Sequence, residues 1–174
     1  GFTLYSELLE RAVHSLKSNK ELDFDQPLMR ASEIDFHVPA LIPADYIPDV
    51  HNRLIEYKRI SSANNADDIR NLKMEMIDRF GILPEPLQNL FRITELKSIT
   101  KQMGIQKIDF GAETGKIIFA EKPNIDPMKI IQLIQQKPLH YQFDGKQTLT
   151  ISELHEDLSE RFIQLQKLLN ELTS

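Results

Sequence analysis

Apolar residues in the first part of the chain recur every three or four positions, a spacing that predicts amphipathic helices. Stretches of this kind cover residues 4–19, 50–62, 66–80 and 85–103. Asp49 and Asn65 stand directly before the second and third stretches, where their side chains are placed to cap the first backbone amides. Gly81 follows the third stretch and predicts its end. Residues 21–31 show no clean period and are interpreted as a linker or surface loop.

Alternating apolar and polar positions predict strands elsewhere in the chain. They occur at residues 32–39, 105–110, 116–121 and 140–151. The second and third stretches predict a hairpin with a glycine-bearing loop. The last one predicts a second hairpin, turning at Asp144-Gly145. A short helix is expected at 126–137, and Ser152 is expected to cap a long final helix.

These elements predict an α+β fold, with several helices packed on a small, mostly antiparallel sheet built from two hairpins. We expect residues 1–20 to form a helical segment of their own and residues 21–174 to form one domain. Gly1 and the helical pattern that follows it suggest a fragment cut from a longer protein.

Composition limits which partners and which cellular location we expect for the chain. The chain has 21 basic and 26 acidic residues, a formal net charge of −5 and no dense basic cluster. Binding to nucleic acid phosphates requires such a cluster, so direct nucleic acid binding is not expected. The chain contains no cysteine, which fits a reducing cytoplasm. No apolar run approaches the roughly 18–20 residues of a membrane span, and no signal peptide is recognisable.

Motifs for catalysis are missing from the sequence. There is no glycine-rich phosphate loop between a strand and a helix, and no strand–turn–helix elbow around a serine. The five histidines include no pair at the spacing that places two metal ligands on one helical face. We therefore expect a chain that is not an enzyme and that needs no metal or cofactor.

The predicted helix at 66–80 has one apolar and one acidic side. When successive residues are projected about 100° apart, four apolar side chains share one face. These are Ile69, Leu72, Met76 and Phe80. Glu75 and Asp78 fall on the opposite side, which Asp68 shares, and Arg79 is placed to pair with Glu75 one turn earlier. A solvated helix face and a docking surface for an arginine-bearing partner both fit this pattern.

Two long motifs resemble the C-terminal domain of bacterial transcription-repair coupling factors. They are "IPDVHNRLIEYKRISSA" at 47–63 and "LKMEMIDRFGILPEP" at 72–86. The opening "GFTLYSELLERAV" resembles the segment that follows the translocase motor of that family. "IIFAEK" and "HYQFDG" also look like their family counterparts, so the resemblance extends in order over essentially the whole chain.

The resemblance implies a non-catalytic regulatory domain of a DNA-dependent ATPase that acts on stalled RNA polymerase. Such a domain packs on the N-terminal UvrB-like module of the same protein and masks the surface that binds UvrA. The helix that contains the "MIDRFG" motif meets arginines of that module, which implies partner-binding roles for Glu75 and Asp78. Asp68 matches no motif of the family and is added as a candidate because it shares their side of the helix.

Two other classes stay open. One is a nucleic-acid-binding accessory domain of a helicase-like protein, which requires an affinity that falls steeply with salt. The other is a small-molecule enzyme or ligand-binding domain, which requires a pocket with clustered, perturbed carboxylates.

Overall fold

The structure, a computed structural model, describes residues 33–173. The predicted helix at 4–19 and the linker at 21–31 lie outside the described residues. Within them the chain forms five helices and five strands, which confirms the predicted α+β class. In chain order these are β1 (Glu33–Asp35), α1 (Val50–Ser62), α2 (Ala66–Phe80), α3 (Glu85–Met103), β2 (Ile105–Phe110), β3 (Thr114–Phe119), α4 (Pro127–Gln136), β4 (Tyr141–Phe143), β5 (Thr148–Ser152) and α5 (Leu158–Thr173).

The described residues separate into two compact units. The first contains residues 38–98, and therefore α1, α2 and most of α3. The second contains residues 33–37 and 99–173, and therefore the sheet, α4 and α5. The hydrophobic pattern of the sequence shows no boundary at these positions.

Local caps determine where the helices of the first unit begin and end. The Asp49 carboxylate accepts a hydrogen bond from the His51 amide at 3.0 Å, and the Asn65 side chain accepts one from the Asp68 amide at 2.8 Å. Gly81 ends α2 with a φ of 101°, a region that favours glycine. The predicted bounds 50–62 and 66–80 and both predicted caps are confirmed.

The second unit is built on a five-stranded sheet with the order β1-β2-β3-β5-β4. Only the β1–β2 pair is parallel, and the other pairs are antiparallel, so the predicted hairpins supply four of the strands. Pairing places a row of fully buried apolar side chains across four neighbouring strands. They are Ile34, Ile108, Ile117 and Leu149.

The structure corrects two predictions, one about the first strand and one about the last helix. The strand predicted at 32–39 ends at Asp35, and His37 adopts a positive φ of 59°. The second predicted hairpin is confirmed, and its loop contains Asp144 and Gly145 but is wider than two residues, since β4 ends at Phe143 and β5 begins at Thr148. The Asp144 carboxylate accepts hydrogen bonds from three backbone amides across this loop, which stabilises a wider turn.

The predicted cap of the final helix is also wrong. Ser152 is the last residue of β5, and α5 begins at Leu158. The Asp157 carboxylate accepts a hydrogen bond from the Glu160 amide at 3.1 Å and therefore takes the capping position.

None of the helices within residues 33–173 combines the length and the apolar character required to cross a bilayer.

Replacement of Gly104 by alanine should destabilise the second unit more than replacement of Gly145. Both glycines have positive φ values, 70° and 81°, so each alanine should cost about 1–2 kcal/mol in backbone strain. At Gly104 a Cβ would also lie 2.9 Å from the Cα of Pro123, whereas nothing lies within 4 Å at Gly145. Crowding against backbone should cost a further ~1–3 kcal/mol. Urea unfolding of the two variants measures the difference, and equal losses would show that the Pro123 contact is unimportant.

The free energy of unfolding should fall as the pH rises through the titration of His37. Its Nε2 is hydrogen-bonded to the Asp109 carboxylate, and this contact raises the His37 pKa above its ordinary 6.5. The charge of Asp35 also raises the pKa, whereas desolvation and the charge of Arg161 lower it. The folded state holds this proton more tightly, so the stabilisation is fully present below the ordinary pKa of 6.5 and is lost as the pH rises through the raised pKa of the folded state. Replacement of His37 by glutamine should remove this part of the pH dependence in urea unfolding, and an unchanged profile would contradict the assignment.

Candidate functional site

Helix α2 carries all three predicted partner-binding residues and is held by ion pairs on both flanks. On one flank the Lys73 ammonium lies 2.9 Å from the Glu95 carboxylate of α3 and 5.5 Å from the centre of the Phe91 ring. On the other flank Glu75 and Arg79 extend toward α1. The helix is therefore fixed between its two neighbours in the chain; Ile69, Leu72 and Met76 are buried, and the opposite face is directed outward.

The contact with α1 is a cluster of two carboxylates and two guanidinium groups, which we call the Arg–Glu cluster (Glu56, Arg59, Glu75 and Arg79). Glu56 is buried, with a side chain only 2% exposed, and accepts hydrogen bonds from Arg79 at 2.9 Å and Arg59 at 3.4 Å. A buried carboxylate requires such partners, because its desolvation is otherwise uncompensated. Glu56 thus joins a guanidinium of α1 to a guanidinium of α2.

Glu75 belongs to this cluster and is still accessible. Its carboxylate pairs with Arg59 and lies 3.9 Å from Arg79, which confirms the predicted pair one turn apart. The hydrogen bond from Arg59 lowers the pKa of Glu75, with a smaller contribution from the charge of Arg79. The side chain is 41% exposed. Glu75 is therefore ionised, partly neutralised within the domain and open to a partner from the outside.

Asp78 lies in a different environment. It is exposed, and within residues 33–173 the structure shows no ion pair or hydrogen bond to its carboxylate. It follows Glu75 by three residues, so the two side chains are neighbours on the helix surface. Of these two carboxylates, Asp78 is the one that a partner can approach without displacing a cation of residues 33–173.

Asp68 does not share this location. Its amide donates to the Asn65 cap, and its carboxylate accepts a hydrogen bond from the Asn64 amide at 3.3 Å, so it helps to form the start of α2. Ten residues separate it from Asp78, which corresponds to about 15 Å along a helix. The structure brings Glu75 and Asp78 together and leaves Asp68 at the other end.

The end of α2 is anchored by aromatic contacts. The Tyr46 hydroxyl lies 2.7 Å from the Gly81 carbonyl oxygen and 3.2 Å from that of Met76. The Tyr46 and Phe80 rings are 5.9 Å apart, and the Arg79 guanidinium lies over the Phe80 ring at 4.7 Å. These contacts hold the last turn, which carries Asp78, in one conformation.

The outward surface of α2 is less acidic than its sequence suggests. Met74 is 59% exposed and Ile77 is 44% exposed, and Ile82, just beyond the helix, is 87% exposed. Apolar residues at helical spacing predict the buried face of a helix and do not by themselves indicate which apolar side chains stay exposed. The projection at about 100° per residue places Met74 about 140° and Ile77 about 80° from Ile69, so it is the angle that indicates their exposure.

Elsewhere in the described residues, neither the histidine and carboxylate side chains nor the groove indicates a particular reaction or ligand. Residues 33–173 contain no group of three or more histidine or carboxylate side chains that could hold a metal ion. The second unit has an open groove of about 470 Å³, whose lining includes Lys137, Lys167, Glu160 and Glu171. Its positive and negative charges balance, so it indicates no particular class of ligand.

Comparison with known proteins identifies relatives over most of the chain. A family model described as the TRCF domain matches residues 36–130, more than half of the 174 residues. A transcription-repair-coupling factor from Escherichia coli strain K12 is 42% identical over 161 residues, which are 92% of this chain and 14% of that protein. One from Haemophilus influenzae is 44% identical over 145 residues, which are 83% of this chain and 13% of that protein.

The chain thus spans only a small part of these curated relatives. A solved structure described as the C-terminal domain of transcription-repair coupling factor superposes with a TM-score of 0.65 and covers 84% of this chain and 98% of that one. Its sequence identity of 21% supports a shared fold. The family model and the two curated relatives show the family directly. This chain belongs to the TRCF domain family and matches the C-terminal domain of transcription-repair coupling factor.

Proposed function

We propose that this chain is a regulatory domain in transcription-coupled DNA repair, which docks through the outward surface of α2 on an N-terminal UvrB-like module of the same protein. Docking masks the surface that recruits UvrA and restrains the DNA translocase motor that lies upstream. The chain itself makes and breaks no bonds; ATP hydrolysis and contact with RNA polymerase belong to other parts of the protein. We place the protein in the bacterial cytoplasm.

The observation that carries this proposal is the state of Asp78. An exposed carboxylate without a partner among residues 33–173, beside a half-exposed Glu75, leaves acceptors open for guanidinium groups. Bidentate arginine–carboxylate pairs provide register and specificity at an interface. The Arg–Glu cluster and the Tyr46 contacts hold both side chains in place before docking, which reduces the entropy lost on binding.

Release of the domain follows from the same contacts. Glu75 has an internal partner in Arg59, so an arginine of the docking partner competes with it rather than meeting an unpaired charge. Exposed pairs are weakened by salt. The docked state needs only a modest free-energy advantage over the released state, because about 5.5 kcal/mol of differential binding moves an equilibrium from 1:99 to 99:1. A competing ligand of moderate affinity therefore suffices to unmask the UvrA site.

Reversal of the charge at Asp78 should increase UvrA binding by the full-length protein. Asp78→Arg places a cation opposite the partner's arginines. The same change at Glu75 would add a third cation beside Arg59 and Arg79, so a loss of stability could not be distinguished from a loss of docking. We expect roughly a tenfold or larger gain in UvrA affinity, since each 1.4 kcal/mol of lost masking changes it tenfold.

Glu113→Arg is the matched control, because Glu113 is an exposed carboxylate in the loop between β2 and β3. It alters the net charge equally and should leave UvrA binding unchanged. An Asp78→Arg protein that folds normally and binds UvrA as weakly as the unaltered protein would refute the masking role.

Neutral substitutions should separate the two carboxylates by their effect on stability. Glu75→Gln removes the charged acceptor of Arg59 and should lower the free energy of unfolding at neutral pH, whereas Asp78→Asn should leave it within about 0.5 kcal/mol. Because Arg59 lowers the pKa of Glu75, its stabilisation is present above the ordinary carboxyl pKa of 4.5 and is lost as the pH falls through the lowered value. Urea unfolding at neutral and acid pH tests this. An equal loss for both variants at neutral pH would show that Asp78 also serves the fold.

A further inference from the structure

We propose that an apolar strip at the end of α2 (Met74, Ile77 and Ile82) anchors the docked state by packing into an apolar patch on the partner, with the partner's guanidinium groups at its rim. This inference rests on the proposed docking function and adds what supplies its affinity. The partner surface is therefore both apolar and basic, and contact with Asp78 lies at the edge of the interface.

Two members of the strip are neighbours on the helix surface, and the third follows the end of the helix. Met74 and Ile77 are three residues apart, a spacing that makes side chains neighbours. Asp78 follows Ile77 directly and lies one turn beyond Met74. Ile82 comes after Gly81, whose carbonyl oxygen is within hydrogen-bonding distance of Tyr46, so the turn that presents Ile82 is held to the body of the first unit.

A second pair of exposed apolar residues shows why the carboxylate matters. On α4, Met128 and Ile131 have the same three-residue spacing and are 54% and 44% exposed, close to the 59% and 44% of Met74 and Ile77. The carboxylate beside this pair, Asp126, is engaged as the cap of α4 and accepts a hydrogen bond from the Met128 amide at 3.0 Å. Scattered apolar side chains are normal on protein surfaces. The α2 strip differs from the α4 pair because it lies beside an open carboxylate that selects a basic partner.

Charge alone is a weak source of affinity here. Exposed ion pairs contribute little to binding, and their effect lies mostly in partner selection and in the association rate. Buried apolar side chains at the centre of an interface contribute most of the binding energy. An interface built only from Glu75 and Asp78 would separate readily at moderate salt, whereas burial of the strip is insensitive to salt.

The experiment is a binding titration of this 174-residue chain against the UvrB-like module of the parent protein, at low and moderate salt. Met74→Gln/Ile77→Gln should raise the Kd about tenfold or more at both salt concentrations. Glutamine is a good helix former and both positions are exposed, so the variant should unfold in urea like the unaltered chain. Met128→Gln/Ile131→Gln is the matched control and should leave the Kd unchanged. Asp78→Asn should weaken binding at low salt, with a smaller effect at moderate salt.

The outcomes separate this inference from the proposed function. If the unaltered chain binds the module and the α2 double variant binds as tightly as the α4 double variant, the anchor is wrong and the docking proposal stands. If the unaltered chain does not bind at either salt concentration, docking fails and the anchor fails with it. If the α2 double variant only abolishes self-association of the chain in sedimentation, the strip is a contact between copies and the inference is overturned.

Discussion

A buried carboxylate between two guanidinium groups determines the geometry of the surface on which the proposed function depends. Glu56 is almost fully enclosed and accepts hydrogen bonds from Arg59 of α1 and Arg79 of α2. Removing one partner of a buried ion pair is strongly destabilising, because the remaining charge is left without solvent or counterion. The two helices are therefore held in one arrangement, and the position of Glu75 follows from that of Arg59.

The consequence is a division of roles along one helix. The flanks of α2 hold it to α1 and α3, through the Arg–Glu cluster on one side and the Lys73–Glu95 pair on the other. Glu75 contributes both to the fold and to the outer surface. Asp78 and the apolar strip contribute to the surface alone, which leaves them available for recognition. A partner that meets this surface encounters groups already in position, so little conformational entropy is lost on docking.

The parts of the fold that could be predicted are those that local interactions determine. The bounds of α1 and α2 agree with the sequence because Asp49 and Asn65 cap the helices through amides two and three residues away. The residue type of Ser152 fits a helix cap, whereas pairing with Thr114 of β3 makes it part of β5. The Asp144-Gly145 pair resembles a tight turn, yet three amides converge on the Asp144 carboxylate and widen it.

For the candidate site, periodicity places Glu75 and Asp78 on one side of a helix but does not show which of them is already paired. That depends on Arg59, which lies sixteen residues earlier on another helix. The most direct test of the central claim is hydrogen exchange of residues 77–82, which are the last turn of α2 and the two residues after it, in the full-length protein and in the isolated chain. Coverage of this surface predicts slower exchange there in the full-length protein, with α4 unchanged. Equal exchange of residues 77–82 in both would contradict the account.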